Sequence, residues 1–102
     1  MKLVQILLPV RDNHGRKFKR AVYSRIHEEL VLRFGGLTAH ARSPAHGLWK
    51  HSKGSTKRDD MIIVEVMTKH FDLKWWKKYR AALERSFSQD EVIIRAHDII
   101  VV

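Results

Sequence analysis

Hydrophobic and polar residues alternate along the first ten positions of the chain. Alternation with a period of two predicts a β-strand, because successive side chains of a strand point to opposite faces. Residues 2–10 therefore predict a first strand that frays at Pro9. Its two faces carry Val4, Ile6 and Leu8 on one side, and Leu3, Gln5 and Leu7 on the other.

The pattern takes a helical period after a polar turn at residues 12–15. From about Arg16 to Phe34, apolar residues recur every four positions, which predicts an amphipathic helix. Gly35 is a natural left-handed cap for its last turn. A second helix is predicted over residues 72–87, where Asp72 is a good N-cap.

Three further strands are predicted from alternation and β-branched composition, over residues 37–42, 61–69 and 91–102. Residues 43–60 between two of them are irregular and contain Pro44, Gly47 and Gly54. A connection of this length in so small a domain favours a functional loop.

The order of elements is strand, helix, strand, strand, helix, strand. With right-handed crossovers, each helix is expected to return the chain to a neighbouring parallel position, with both helices on the same side. We therefore predict an α+β fold of the ferredoxin-like βαββαβ type. Its four-stranded sheet would have the order 4-1-3-2, with two helices on one face. The 102 residues are expected to form a single domain, 1–102.

Two helices leave the other sheet face open, and alternation predicts the side chains that it carries. Apolar members of this set would form a patch too large to leave in water, which favours a homodimer through the open face. The apolar end of the chain, residues 99–102, also favours an oligomer, since a free strand end pairs readily. The open set is Leu3, Gln5, Leu7, Thr38, His40, Arg42, Ile63, Glu65, Met67, Ile93, Arg95 and His97.

Four ionisable members of this set are candidate catalytic residues: His40, Glu65, Arg95 and His97. A histidine titrates near neutral pH and a carboxylate on the same face can orient it, so the set suits acid–base chemistry. Two histidines and a carboxylate also suit a metal ion, but the pattern is unspecific and we predict neither metal nor cofactor. The alternative is a solvated or interface-paired face, with Glu65 in an ion pair with Arg95 or Arg42.

Basic side chains and a tryptophan make the loop between the second and third strands a candidate anion site. Lysine and arginine side chains can hold an anion there, and Trp49 can stack on a planar ligand or simply anchor the loop by packing. With the open face included, the ligand-binding candidates are Gln5, Arg42, Trp49, Lys50, Lys57 and Arg58.

The chain is strongly basic, with 20 Lys and Arg against 11 Asp and Glu, a net charge of +9. Such a balance attracts nucleic acids and other polyanions. Base stacking on the sheet is disfavoured, because its central strands offer no aromatic residue on the open face. Contacts to a nucleic-acid backbone, or a surface contact through Trp75 among its neighbouring lysines, stay open; Trp76 is expected in the core.

The absence of cysteine excludes disulfides and thiolate metal sites. The apolar run at the N-terminus is too short for a signal peptide, and no run reaches the roughly 20 apolar residues of a membrane span. We therefore expect a cytoplasmic protein.

Two resemblances add to this interpretation. The segments Phe34-Gly35-Gly36-Leu37-Thr38 and Gly47-Leu48-Trp49-Lys50 resemble a signature of small uncharacterised bacterial proteins. That resemblance implies a shared fold and a tryptophan-containing loop that returns to the sheet, but no activity. In outline the chain also resembles the dimeric α+β-barrel proteins, whose inner sheet faces form ligand and active sites.

Three functions stay open at this point. The leading hypothesis is an oligomer with a site for a small anionic molecule on the open sheet face, either a binding site or an active site. The alternative is a non-enzymatic basic module that binds nucleic acid or another polyanion. The third is an interaction protein without a ligand.

Overall fold

The structure is a computed structural model that describes residues 1–35, 38–44 and 60–102, with the backbone alone for 38–44 and Asp60. Among these residues no helix is long and apolar enough to cross a membrane. The elements follow the chain in the order β1 Lys2–Pro9, α1 Arg20–Phe34, β2 Thr38–Pro44, β3 Asp60–Thr68, α2 Leu73–Ser86 and β4 Ile93–Asp98.

The four strands form one sheet in the order β2-β3-β1-β4, and every pairing is antiparallel. Read from the opposite edge, the order is β4-β1-β3-β2. Gln5 in the middle of β1 lies opposite Glu65 of β3 on one side and Arg95 of β4 on the other. β2 pairs with β3, and its register shifts between His40 and Ser43.

The fold prediction is wrong in how the helices connect the strands. Neither helix returns the chain to a neighbouring parallel strand, because β3 separates β1 from β2, and β1 separates β3 from β4. The physical reason is that the antiparallel strands β3 and β4 occupy both hydrogen-bonding edges of β1, so each helix returns the chain to a parallel strand one place further across the sheet. The sheet is also less regular than predicted, because the register between β2 and β3 shifts. Its continuous part consists of the three strands β3-β1-β4.

Two element boundaries also differ from the predictions. β4 ends at Asp98, so residues 99–102 do not extend it; Ile99 donates its backbone N–H to the carbonyl of Met1, and Ile100 is 92% exposed. Helix α1 begins at Arg20 instead of about residue 16. Residues 16–18 fold back on residues 10 and 11, since they complete a tight turn that is described below.

The hydrophobic core lies between one face of β1 and both helices. Val4, Ile6 and Leu8 of β1 are all 0% exposed. Because α1 and α2 contribute to the same cluster, both helices cover one face, and no helix covers the other within the described residues. Buried partners from the other elements are Ile26, Leu30, Val64, Val66, Trp76, Leu83, Phe87 and Val92.

On the helix side, the structure confirms the prediction for the two adjacent tryptophans and differs from the predicted pattern in β4. The prediction for the adjacent tryptophans is confirmed, with Trp76 buried in the core and Trp75 partly exposed beside it. Alternation places Ala96 on the same face of β4 as Ile94, but Ala96 is exposed, whereas Ile94 packs against the core. The helices therefore cover only the first half of β4.

Both predicted helix caps are confirmed. Gly35 adopts a left-handed conformation with a φ of 76°, and its N–H donates to the carbonyl of Val31 at 2.8 Å. The carboxylate of Asp72 accepts a hydrogen bond from the backbone N–H of Trp75 at 3.1 Å. At the start of α1, by contrast, Lys19 makes no capping hydrogen bond through its side chain.

The turn between β1 and α1 depends on one carboxylate. Asp12 Oδ1 accepts hydrogen bonds from the backbone N–H groups of His14 at 2.8 Å and Arg16 at 2.9 Å. The hydrogen bond from Arg16 is the main reason that the pKa of Asp12 lies below its ordinary value of 3.8. Gly15 completes the turn with a φ of 80°, a conformation that glycine adopts without strain.

We expect this turn to loosen in acid. Because the folded pKa of Asp12 is below the unfolded one, its carboxylate stabilises the turn above the ordinary pKa and stops doing so as the pH falls through the folded pKa. The amide NMR signals of His14 and Arg16 should then follow one titration below pH 3.8. In Asp12→Asn, which keeps an acceptor oxygen but cannot titrate, that transition should be absent. Its persistence in the variant would assign it to another group.

Candidate functional site on the open sheet face

A row of three hydrogen-bonded polar side chains crosses the open face. The amide of Gln5 lies at its centre, since its Nε2 donates to Glu65 Oε2 at 2.9 Å. On the other side, Arg95 Nε donates to Gln5 Oε1 at 2.8 Å. The strand register produces this row directly, because Gln5 is the cross-strand partner of both residues. We call Glu65, Gln5 and Arg95 the polar row.

Two flanking rows are mostly apolar. The first contains Met67, Leu3 and His97, which are cross-strand partners on β3, β1 and β4. The second contains Ile63, Leu7 and Ile93, and it continues to the backbone of His40 on β2. A charged and hydrogen-bonded strip therefore runs between two hydrophobic ones.

Exposure differs along this surface. Gln5 and Glu65 are half-buried, and Arg95 at the edge strand is exposed. Leu7 was expected to belong to an exposed patch but is only 4% exposed, since Ile63 and Ile93 lie on both sides of it. Met67 is 51% exposed. The apolar surface available to a partner or ligand therefore lies mainly in the row that contains Met67.

The structure brings together two of the four catalytic candidates. Glu65 and Arg95 both lie opposite Gln5 in the sheet, and each of them forms a hydrogen bond with the Gln5 amide. His97 is exposed and lies in the neighbouring row, beside Leu3. His40 has its backbone opposite Ile63, one register step from the polar row, and its side chain is outside the description. Acid–base roles for these residues stay predictions.

The structure does not test the ligand-binding candidates in and beside the loop between β2 and β3. Trp49, Lys50, Lys57 and Arg58 lie outside the described residues, and of Arg42 only the backbone in β2 is described. Their proposed contacts with an anion therefore stay predictions. Among the described residues, no three His, Cys, Asp or Glu side chains group in a way that could hold a metal ion.

Gln5 has a larger part in the site than sequence patterns indicate. Gln5 is one of the six predicted ligand-binding candidates, but the structure puts it at the centre of the polar row. In the sequence, the signal that could identify Gln5 is its position as a polar amide among the apolar residues of the predicted first strand. Its two partners could not be identified without the register of β3 and β4.

Comparison with known proteins agrees with a small α+β fold. No protein-family model matches the chain, and no curated protein matches it. Among solved structures, a phage SAM lyase in complex with S-methyl-5′-thioadenosine is similar, with a TM-score of 0.59 and 12% sequence identity. The match covers 95% of this chain and 80% of the lyase chain. At this identity the likeness shows the fold alone.

Proposed function

We propose that the open sheet face binds a small molecule with an anionic group, and that the site is formed in an oligomer of this chain. The observation that carries the proposal is the polar row. Its guanidinium and carboxylate are held at two ends of one amide, and ligand sites use a few placed polar groups of this kind within an apolar lining.

The chemistry of the two ends favours a ligand of mixed charge. Arg95 is exposed and can pair with a carboxylate or phosphate. Glu65 offers a carboxylate that can accept from an ammonium or hydroxyl group, or attract a cation. The apolar rows on either side suit an uncharged, flat part of the same molecule. Together these features fit a zwitterion with a hydrophobic body.

A nucleoside of the SAM type meets this description and is the first ligand to test. SAM combines an adenine ring with a sulfonium, an ammonium and a carboxylate. The similar fold of the phage SAM lyase, whose structure contains S-methyl-5′-thioadenosine, supports this choice of ligand class.

A second copy of the chain would close the site. Met67 and the residues of its row leave apolar surface beside the polar row, and apolar surface of this kind favours burial against a partner. We therefore include a homodimer, formed face to face through the open sheets, in the proposal.

Binding is tested by titrating the protein with SAM and with S-methyl-5′-thioadenosine in a calorimeter. We expect SAM to bind, and Glu65→Gln and Arg95→Gln each to weaken it at least tenfold, since a charged hydrogen bond contributes about 1.5–3 kcal/mol. Arg85→Gln is the matched control, because it removes an exposed arginine from α2, on the helix side. Unchanged affinity in both polar-row variants would contradict a site at this row.

The same samples distinguish a binding site from an active site. If SAM is incubated with the protein and the mixture is separated by liquid chromatography, release of S-methyl-5′-thioadenosine faster than in a protein-free sample would identify an enzyme. Binding without release, with the same variants defective, would identify a binding protein.

A further inference from the structure

A second surface of the molecule concentrates positive charge on a rigid support. Within residues 11–20 there are five basic side chains, Arg11, Arg16, Lys17, Lys19 and Arg20, and all five are exposed. We call this segment the basic turn. Within the described part of the chain, none of the five forms an ion pair with an acidic side chain.

Asp12 is the one acidic residue of this segment, so the five basic side chains leave an excess of four positive charges. The Asp12 carboxylate is directed to the backbone, where it accepts the N–H groups of His14 and Arg16. Across the turn, Arg11 and Lys17 form an isolated antiparallel bridge, so two cations lie side by side. The start of α1 adds no negative charge, because its first turn contains no acidic residue.

The backbone of the basic turn is held in place by hydrogen bonds within it. Asp12 N–H donates to the carbonyl of Arg16 at 2.7 Å, and Phe18 N–H donates to that of Val10 at 3.0 Å. The guanidinium of Arg11 donates to the carbonyl of Gly15 at 3.1 Å. A backbone fixed in this way loses little conformational entropy on binding.

The turn is also anchored to the end of α2. Asn13 Nδ2 donates to the carbonyl of Ser88 at 3.1 Å, and Gln89 Nε2 donates to Asn13 Oδ1 at 3.2 Å. The Phe18 ring packs edge-on against that of Phe87, with 4.8 Å between ring centroids. Because Phe87 is fully buried, the cationic surface is fixed to the core.

We propose that the basic turn binds the phosphate backbone of double-stranded nucleic acid without reading its sequence. A duplex carries one negative charge per about 1.7 Å of its axis, so closely spaced cations on a rigid turn complement it well. This inference concerns a surface separate from the open sheet face and does not depend on the proposed small-molecule site.

The aromatic residues explain why a duplex is favoured over a single strand. Proteins that bind single strands stack bases on exposed aromatic rings. The aromatic residue of the basic turn, Phe18, packs inward against Phe87. Trp75 on α2 is also engaged, since it stacks on Tyr79 at 4.9 Å and has the Arg33 guanidinium 4.2 Å from its ring centroid. Contacts to phosphates need none of these rings.

The test measures fluorescence anisotropy of a labelled random-sequence duplex with the full chain over a series of salt concentrations. The variant Arg16→Gln/Lys17→Gln/Arg20→Gln removes three cations from the basic turn, and the matched control Lys74→Gln/Lys77→Gln/Lys78→Gln removes three exposed cations from α2. Both variants have the same net charge. Thermal melting followed by circular dichroism checks that both are folded.

We expect the unmodified chain to bind the duplex at low salt, with affinity that falls steeply as salt is added. The turn variant should bind at least tenfold more weakly and lose roughly 2–3 units of the salt slope, whereas the α2 control should change less than about threefold. Equal losses in both variants would overturn the proposal, because they would indicate diffuse charge only. No binding at low salt, or binding to anionic phosphatidylserine vesicles in preference to the duplex, would overturn it as well.

Discussion

Replacement of Phe87 by alanine should destabilise the protein by about 3–5 kcal/mol, the usual cost of removing a buried aromatic ring. Phe87 is 0% exposed, and its ring contacts those of Phe18 and Tyr23, which belong to the turn and to α1. The loss is large against the roughly 5–15 kcal/mol that stabilise a domain of ordinary size. Chemical denaturation monitored by circular dichroism measures it.

Leu32→Ala is the control for this variant. Leu32 is 87% exposed on α1, so its truncation removes little buried surface and should change the free energy of unfolding by less than about 0.5 kcal/mol. A similar small effect for Phe87→Ala would mean that this ring is not part of the folded core. Phe87→Leu, which keeps most of the apolar volume, should recover much of the loss.

Replacement of Met67 by lysine should dissociate the proposed homodimer. Met67 is 51% exposed in the single chain, so the fold itself should tolerate a lysine there. In a face-to-face dimer the ammonium group would be removed from water at the interface, which is costly. We expect the dimer dissociation constant to rise about 100-fold, equivalent to about 2.7 kcal/mol. Sedimentation equilibrium at micromolar concentrations measures it.

Leu32→Lys is the matched control for the dimer. It introduces the same charge at an exposed apolar position, but on α1, on the helix side of the sheet. The control should sediment as the unmodified chain does. If the unmodified chain is already a monomer at these concentrations, the dimer and the closed site that depends on it are both wrong.

Much of the secondary structure could be predicted because local chemistry determines it. Gly35 ends α1 in a left-handed conformation that other residues adopt only at a cost in free energy. Asp72 starts α2 because its side chain accepts a hydrogen bond from the backbone N–H of Trp75, three residues later. The alternation in β1 also predicts which of its residues form the core, and Val4, Ile6 and Leu8 are fully buried. Each of these signals is contained within a few residues.

Features that depend on distant residues could not be predicted in the same way. The inward packing of Phe18 depends on Phe87, which is 69 positions later in the chain. For that reason helical periodicity extended α1 too far toward the N-terminus. The candidate site shows the same limit: the open face was predicted from alternation, but the contact of Gln5 with Glu65 and Arg95 depends on the register of three strands.

The polar row has a direction, because an amide donates at one end and accepts at the other. Arg95 donates to the oxygen of Gln5, and the nitrogen of Gln5 donates to Glu65, so all the hydrogen bonds point the same way. Successive hydrogen bonds of this kind polarise one another. A group that draws Arg95 away would weaken the hydrogen bond that Gln5 donates to Glu65. The two ends of the row should therefore respond to a bound molecule together, as one cooperative unit across three strands.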